Sequence, residues 1–497
     1  MGSRLTPVDE RVSFEELPGL PRLFLDCVRR AASSEPFCPC PPLPESLLTH
    51  AARRRAAPLA RLELVAVLER EALEFGSGEE ARSNLRRLQS ADTVVVVASV
   101  PAAPLGGPMS VLVEALSAIQ AAARLEREGA PAVPLVWIAP GASESAAPDW
   151  FDDTGRLVRA TEAALGEAGD EAVELIRRCY APGTAPALAL ARLLAAVTRP
   201  WGLVVADGAA PEWLALARPW LRQAVERAPE LARLAREQGE RLAAAGYAGG
   251  PEASLFELDG APVAPDQIAS LMETGSERIR PGAVLAPVCV ASLLPVAAHV
   301  SGPAGFETFA RALGIYREFD LDPPLVLPRA SATLLDSRSR RTLEKYGCRL
   351  PDLYAGPDAV VERLASGTLD RDLPARFDAL ASQLDRRLAG LQEVLGGERG
   401  GSGEHSGLSD EIASSRSRML YQIQKLRERA VAAQALRREI MMRQIARACD
   451  ALAPGGALQE DRIAAAYFLV RYSAKILQVM YDRIDVWTHE HQIVGID

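Results

Sequence analysis

With 497 residues the chain can bury a large core, and it is too long for one ordinary domain, so two or three structural units are expected. Hydrophobic residues at 48% and charged ones at 24% describe a soluble globular protein. A net charge of −9, with acidic residues interleaved among the Arg-rich helices, lacks the basic patch that phosphate-backbone binding requires and excludes nucleic acid as the expected partner.

The N-terminus, Pro7-Val8-Asp9-Glu10, is polar, so no signal peptide is expected. Seven cysteines without framework spacing fit a reducing cytoplasm. Cys38-Pro39-Cys40 is the only close pair and reads as two loop thiols, since no second Cys or His pair lies nearby at metal spacing. Before it, Leu23, Cys27 and Val28 share one face of a short helix. A Pro-rich loop over 36–44 leads into a helical region from about 45 to 90, with Leu62, Leu64, Val65, Val67, Leu68 and Leu73 as its buried face. Phe75-Gly76-Ser77-Gly78 breaks that region.

Residues 91–144 organise the chain. A β-branched run, Thr93-Val94-Val95-Val96-Val97, precedes a Gly/Pro-rich loop over 98–108. A helix beginning near Pro108 then aligns Leu112, Leu116, Ile119 and Ala123, and Gly129 stops it. A second apolar strand, 133–139, follows. Strand, loop, helix, strand is the βαβ unit of an open parallel sheet, where ligands bind beside loops leaving the carboxyl ends of strands. Two such loops are 98–108 and 140–144.

Residues 157–180 and 184–198 read as helices separated by Pro182-Gly183. A third strand, 202–206, ends in Asp207-Gly208, and Pro211 opens one long helix closed near Gly246. Residues 247–282 look like a small β-rich insertion with a turn at Asp259-Gly260. Residues 283–300 are almost wholly apolar and near the length of a membrane span. Pro287, Pro295 and His299 interrupt them, so buried core elements are expected and no membrane. A fourth strand ends in Ser301-Gly302-Pro303, and a fifth, 324–328, is followed by Arg329.

From 374 to 395 the residues Phe377, Leu380, Leu384, Leu388, Leu391 and Leu395 alternate three and four apart. After a Gly/Ser linker at 396–407, a helix over about 409–452 carries Ile412, Met419, Ile423, Leu426, Ala430, Ala433 and Ile440 on a similar seam. The pattern predicts an antiparallel α-helical coiled-coil arm, and pairing of that arm with a second copy predicts a homodimer. The domains are then 1–373 as an α/β core with insertions at about 146–198 and 247–282, 374–453 as the arm, and 454–497 returning to the core.

The order of these parts resembles the family of the bacillithiol-biosynthesis cysteine-adding enzyme, a cysteine ligase. The likeness spans nearly the whole chain: Leu17-Pro18-Gly19 with Leu23-Phe24-Leu25-Asp26, Phe75-Gly76 with Asn84-Leu85, Gly107-Pro108, 133–139, Gly302-Pro303, Pro323-Pro324 through Pro328-Arg329, Arg471-Tyr472 and His491-Gln492. The resemblance implies a Rossmann-like core with helical insertions, a dimerising coiled coil, and a reaction that joins cysteine to the amino group of glucosaminyl malate, an amino sugar derivative. It also marks departures. Ser99-Val100-Pro101 stands where the family has Gly-Gln-Gln, and Glu114 stands for a usual lysine. Pro140-Gly141-Ala142-Ser143-Glu144 replaces an acidic and His-Asp cluster, and Ala286-Pro287 replaces Arg-Pro.

Amide formation needs a neutral amine, a general base and stabilisation of the developing oxyanion. Glu144, if burial raises its pKa, and His299, beside the Ser301-Gly302 loop, are the candidate catalytic residues; a cap and a core histidine are the bland alternatives. Substrate-binding candidates are Ser99, Ser143, Ser301 and Gly302 at strand ends, and Gly106 and Gly107, which either cradle an anion or make a tight turn. Asp207 would hold an amino group or cap a helix, Arg329 would hold a carboxylate or a structural ion pair, and His491 matches the family tail. No metal site is expected from His489 and His491. Neither a P-loop nor a Gly-x-Ser-x-Gly elbow occurs, so the cofactor is unknown and nucleotide use stays open. Two functional readings stand side by side: a ligase of this family, or a catalytically degenerate homologue acting as a dimeric binding or scaffold protein.

Overall fold

The computed structural model describes residues 10–54, 61–139, 167–181, 183–248, 254–258, 261–264, 267–268, 271, 279–368, 370, 372–396 and 404–496. It divides into two compact units, Met1–Leu335 with Ala457–Asp497, and Asp336–Gly456. The strands in chain order are β1 (Glu10–Ser13), β2 (Val94–Pro101), β3 (Ala132–Ala139), β4 (Val204–Asp207), β5 (Phe256–Leu258), β6 (Ala261–Val263), β7 (Ile279–Pro281), β8 (Val296–Ser301), β9 (Leu325–Pro328), β10 (Ala332–Asp336) and β11 (Glu490–Ile496).

The first unit is built on a five-stranded sheet of order β4-β3-β2-β8-β9, in which neighbouring strands run parallel. Its central strand β2 is β-branched and apolar without alternation because helices cover both of its faces. Val94, Val96, Ala98 and Val100 pack with the helix Met109–Arg127, while Val95 and Val97 join a second cluster with Leu64, Val65 and Leu68 of the helix Arg61–Phe75. The helix Met109–Arg127 leads from β2 to β3, and the helix Gly305–Glu318 leads from β8 to β9 on the other side. The strand order therefore reverses between β2 and β8, and the crevice beyond their carboxyl ends is where such sheets take ligands.

Two further sheets complete this unit. β6-β5-β7 is a small antiparallel sheet, and β1-β11-β10 brings the first and last described strands together, with β1 and β11 antiparallel.

Several local expectations are corrected. Leu62 and Leu73 are 73% and 68% exposed, because Leu64, Val65, Leu68 and Ala72 already form the buried stripe of their helix. The stretch after Pro211 is two helices, Pro211–Glu226 and Ala228–Ala244, broken at Arg227. The apolar run after 283 is the helix Ala286–Leu293 followed by β8. Among the described residues no helix is long and apolar enough to cross a membrane. Cys38 is not a loop thiol but is bonded to Cys27, at a Cα–Cα separation of 6.0 Å.

In the second unit the helices Leu373–Gly396 and Glu404–Leu452 pack antiparallel, shown by Asp385 with Arg416 and Asp378 with Arg427. The longer helix has 49 residues and so runs roughly 74 Å. The unit begins at Asp336 rather than at 374. The reason is packing against the far end of the long helix. Lys345 and Tyr346 both reach Gln444, at 2.9 and 2.7 Å, and Arg438 pairs with Glu362.

Candidate active site

At the crevice between β2 and β8 a buried guanidinium gathers three carboxylates. Arg329 directly follows β9, and its backbone N–H donates to the Ser301 carbonyl of β8 at 2.9 Å. Its Nη1 donates to Glu460 Oε1 at 2.6 Å and its Nη2 to Asp461 Oδ1 at 2.9 Å. Its Nε lies 3.7 Å from Glu114 Oε1, on the second turn of the helix Met109–Arg127. Burial works against the guanidinium's charge, but Glu460, Asp461 and Glu114 outweigh it and hold the group protonated.

One cation cannot balance three carboxylates in a water-poor site, so a proton is retained. Burial pushes the Glu114 carboxyl up to about 8; Arg329 pulls it down, and Asp461 and Glu460 push it further up. The Asp461 carboxyl is also raised by burial, against the pull of Arg329. Glu114 keeps 14% of its side chain exposed and Asp461 46%, whereas Glu460 is fully buried. Glu460 is the anchor. Its Oε1 also accepts from Ser331 Oγ and its Oε2 from the Ala332 N–H, both at 2.7 Å. Gly302 forms the opposite wall, where a Cβ would lie 3.3 Å from Glu114 Oε1. The cluster thus presents one neutral acid and one partly exposed carboxyl beside a fixed positive charge.

The residues expected from the sequence fall into three groups. Ser301, Gly302 and Arg329 are brought together here, whereas Ser99 pairs with Trp137 of β3. Arg329 pairs with protein carboxylates, the second of its two expected parts. Ser143 and Glu144 lie outside the described residues.

The remainder are corrected. Gly106 and Gly107 are buried; the Gly106 N–H donates to Tyr180 Oη at 2.8 Å and the Gly107 N–H to the Pro104 carbonyl at 2.9 Å. Both donors are used inside a tight turn, at φ +83° and +69°, leaving no cradle for an anion. His299 sits mid-strand opposite Val97 with its ring 4.7 Å from that of Phe309, and burial drives its pKa down to about 3. It is a neutral core residue, not a base. His491 is likewise fully buried and pushed down to about 3, with Nδ1 2.7 Å from Ser331 Oγ and Nε2 2.8 Å from Thr333 Oγ1. It ties β11 to β10 and touches no open space.

Asp207 belongs to a second acidic cluster, at the end of β4. Its Oδ1 accepts from the Ala209 N–H at 3.0 Å, so it holds the turn rather than capping the next helix. Its own N–H donates to Glu71 Oε1, which also accepts from Trp213 Nε1 at 3.0 Å. Burial raises Glu71 to about 8, and its Oε2 has no hydrogen-bond partner among the described residues.

Sequence reasoning missed Glu71, Glu460 and Asp461, and named Glu114 only as a departure. Gln459-Glu460-Asp461 is a polar run at a short helix, but its partner Arg329 stands 131 residues earlier, and no local periodicity connects them.

A model of the BshC N-terminal Rossmann-like domain of bacillithiol biosynthesis matches residues 38–142, and one of the BshC C-terminal coiled-coil domain matches residues 332–496. The chain belongs to the BshC family. Curated relatives named "Putative cysteine ligase BshC" align along nearly the whole length. That of Koribacter versatilis is 26% identical over 98% of this chain and 100% of its own. That of Salinibacter ruber is 26% identical over 97% of each, and that of Solibacter usitatus 27% identical over 97% and 98%. The BshC Rossmann-like match contains β2, Glu114 and β3, and the BshC coiled-coil match contains Glu460, Asp461 and His491.

Proposed function

We propose that this chain is a ligase of bacillithiol biosynthesis that adds cysteine to the amino group of glucosaminyl malate or a related amine. The observation that carries the reading is the placement of Glu114, its Oε1 3.7 Å from the buried Arg329 with Glu460 and Asp461 beside it, in a chain similar throughout to cysteine ligases named BshC; burial raises its carboxyl to about 8. A carboxyl near 8 is poised for acid–base work at neutral pH, where an ordinary glutamate is only a base. As the amine nitrogen bonds to the cysteine carboxyl carbon, neutral Glu114 can donate to the oxygen on which charge develops. Its carboxylate can then take a proton from the amine, and the C–O bond to that protonated oxygen breaks as it leaves as water. Arg329 supplies a fixed positive charge beside that oxygen, and Glu460 holds Arg329 in place. Gly302, with Ser301 before it, borders the space.

A second reading, a degenerate homologue acting as a dimeric scaffold, draws support from Arg329 being neutralised by the protein's own carboxylates and from His299 and His491 being core residues. We take the arm to pair with a second copy in either case. Leu380, Leu391, Met419, Tyr421, Leu426 and Leu436 stay between 47% and 59% exposed on it, apolar surface that a second copy would cover.

The two readings separate in a strain lacking the gene, by thiol profiling with mass spectrometry. The ligase reading expects bacillithiol to vanish and to return with the wild-type gene, while its level staying unchanged overturns that reading in favour of the scaffold.

A further inference from the structure

Away from the β2/β8 crevice, the first unit holds a cavity of about 270 Å³ lined by both residues of the Cys27–Cys38 disulfide. That volume is near the lower end of small-ligand sites, ~300 Å³. The two sulfurs are unequal. Cys27, on the helix Arg22–Arg29, is only 3% exposed, whereas Cys38 lies in the Pro-rich loop and is partly exposed. Phe306 and Phe309 give an apolar wall, and two exposed residues of opposite charge, Arg53 and Asp322, also line the space. Both stand close to the third cysteine of the cavity: burial pushes the Cys40 thiol up, Arg53 draws it down and Asp322 raises it. A disulfide open on one sulfur, a guanidinium for a carboxylate, a carboxylate for an ammonium and an apolar wall for a short side chain together describe one ligand class.

We propose that this cavity is a thiol–disulfide exchange site for a zwitterionic amino-acid thiol such as cysteine, and for its disulfide, cystine. The thiolate attacks Cys38 Sγ, the Cys27–Cys38 bond breaks, and its electron pair passes to Cys27 Sγ, which takes a proton. Cys38 then carries the ligand as a mixed disulfide. A second thiolate attacks the ligand sulfur and leaves Cys38 as the thiolate, so two thiols are oxidised to one disulfide as the protein's disulfide is reduced to two thiols. In reverse, the reduced chain turns one cystine into two cysteines and recloses its own disulfide. Attack falls on Cys38 and not Cys27 because Cys38 is the partly exposed half of the disulfide and Cys27 is buried. The site stands on the cavity's own residues and does not depend on the ligase reading.

The test uses the full chain, reduced and freed of reductant, then mixed with cystine or with uncharged 2-hydroxyethyl disulfide, while reclosure of Cys27–Cys38 is followed by alkylation and peptide mass spectrometry. With cystine, Arg53→Ala and Asp322→Ala each slow reclosure roughly fivefold, the scale of an exposed charge contact. With 2-hydroxyethyl disulfide neither changes the rate. In Cys27→Ser the reaction stops at a cysteine adduct mapped to Cys38. Equal sensitivity of the two disulfides to Arg53→Ala and Asp322→Ala overturns the proposal. So does failure of the reduced wild-type chain to reclose with cystine, a result that needs no variant to fold.

Discussion

At the scale of single residues, the proton balance of four buried side chains sets how stability follows pH. Glu71 and Glu114 have folded-state pKa values near 8 against an ordinary 4.5, so between those values the folded chain binds more protons than the unfolded one. Stability then falls as pH rises through this window. His299 and His491, held near 3 against 6.5, are neutral in the fold, and the unfolded chain takes up their protons first, so their contribution is lost as pH falls below 6.5. Above pH 6.5 the histidine contribution is complete and the raised glutamates dominate these four. Thermal unfolding should therefore show the melting temperature dropping between pH 6.5 and 8, and Glu71→Gln, which keeps an acceptor for Trp213 and the Asp207 N–H, should flatten that drop. Parallel slopes for the two proteins would contradict the protonation given to Glu71. Removing Arg329 is a harsher change. Arg329→Ala leaves Glu460 buried and unpaired and should cost about 3–5 kcal/mol by denaturant unfolding. Arg329 stood out in the sequence because a charge directly follows an apolar strand. Its role did not, since Glu460 and Asp461 meet it only through the return of the chain's last segment to the sheet.

At the scale of elements, the parts with strong local pattern were legible. β2, the helix Met109–Arg127 and β3 follow from a β-branched run, a Pro start and a Gly stop. Patterns that depend on neighbours were not. Leu62 and Leu73 fit a helical apolar face equally well, and only the position of the sheet decides which stripe is buried. A break at Arg227 between two good helix formers carries no Gly signal of its own; Pro229 sits just inside the second helix, where its missing N–H costs nothing. The loop after β2 shows a third case, where the sequence left an anion cradle and a tight turn both open and the packing shows the turn. At Gly107 a Cβ would stand 2.8 Å from Val111 Cγ2 at a positive φ. Gly107→Ala should accordingly destabilise the chain by about 1–3 kcal/mol in denaturant unfolding. A neutral result would mean the turn has slack that its packing does not show.

At the scale of the whole molecule, the two-unit organisation was visible as a change of composition, but its boundary was not. Helices between Ser337 and Thr368 join the arm through Gln444 and Arg438, contacts that span most of that unit's sequence. If the arm pairs with a second copy through its apolar row, Leu426→Asp together with Leu391→Asp should shift the mass by light scattering from dimer to monomer without unfolding the first unit. An unchanged mass would remove the arm from any assembly. The proposed ligase chemistry rests on the raised carboxyl of Glu114. The most direct measurement is the bacillithiol level in the deletion strain carrying Glu114→Gln, with the amount of folded protein matched to wild type. The account predicts that wild type restores bacillithiol and Glu114→Gln lowers the rate of its accumulation by roughly 10²-fold or more. Full restoration by Glu114→Gln would contradict it.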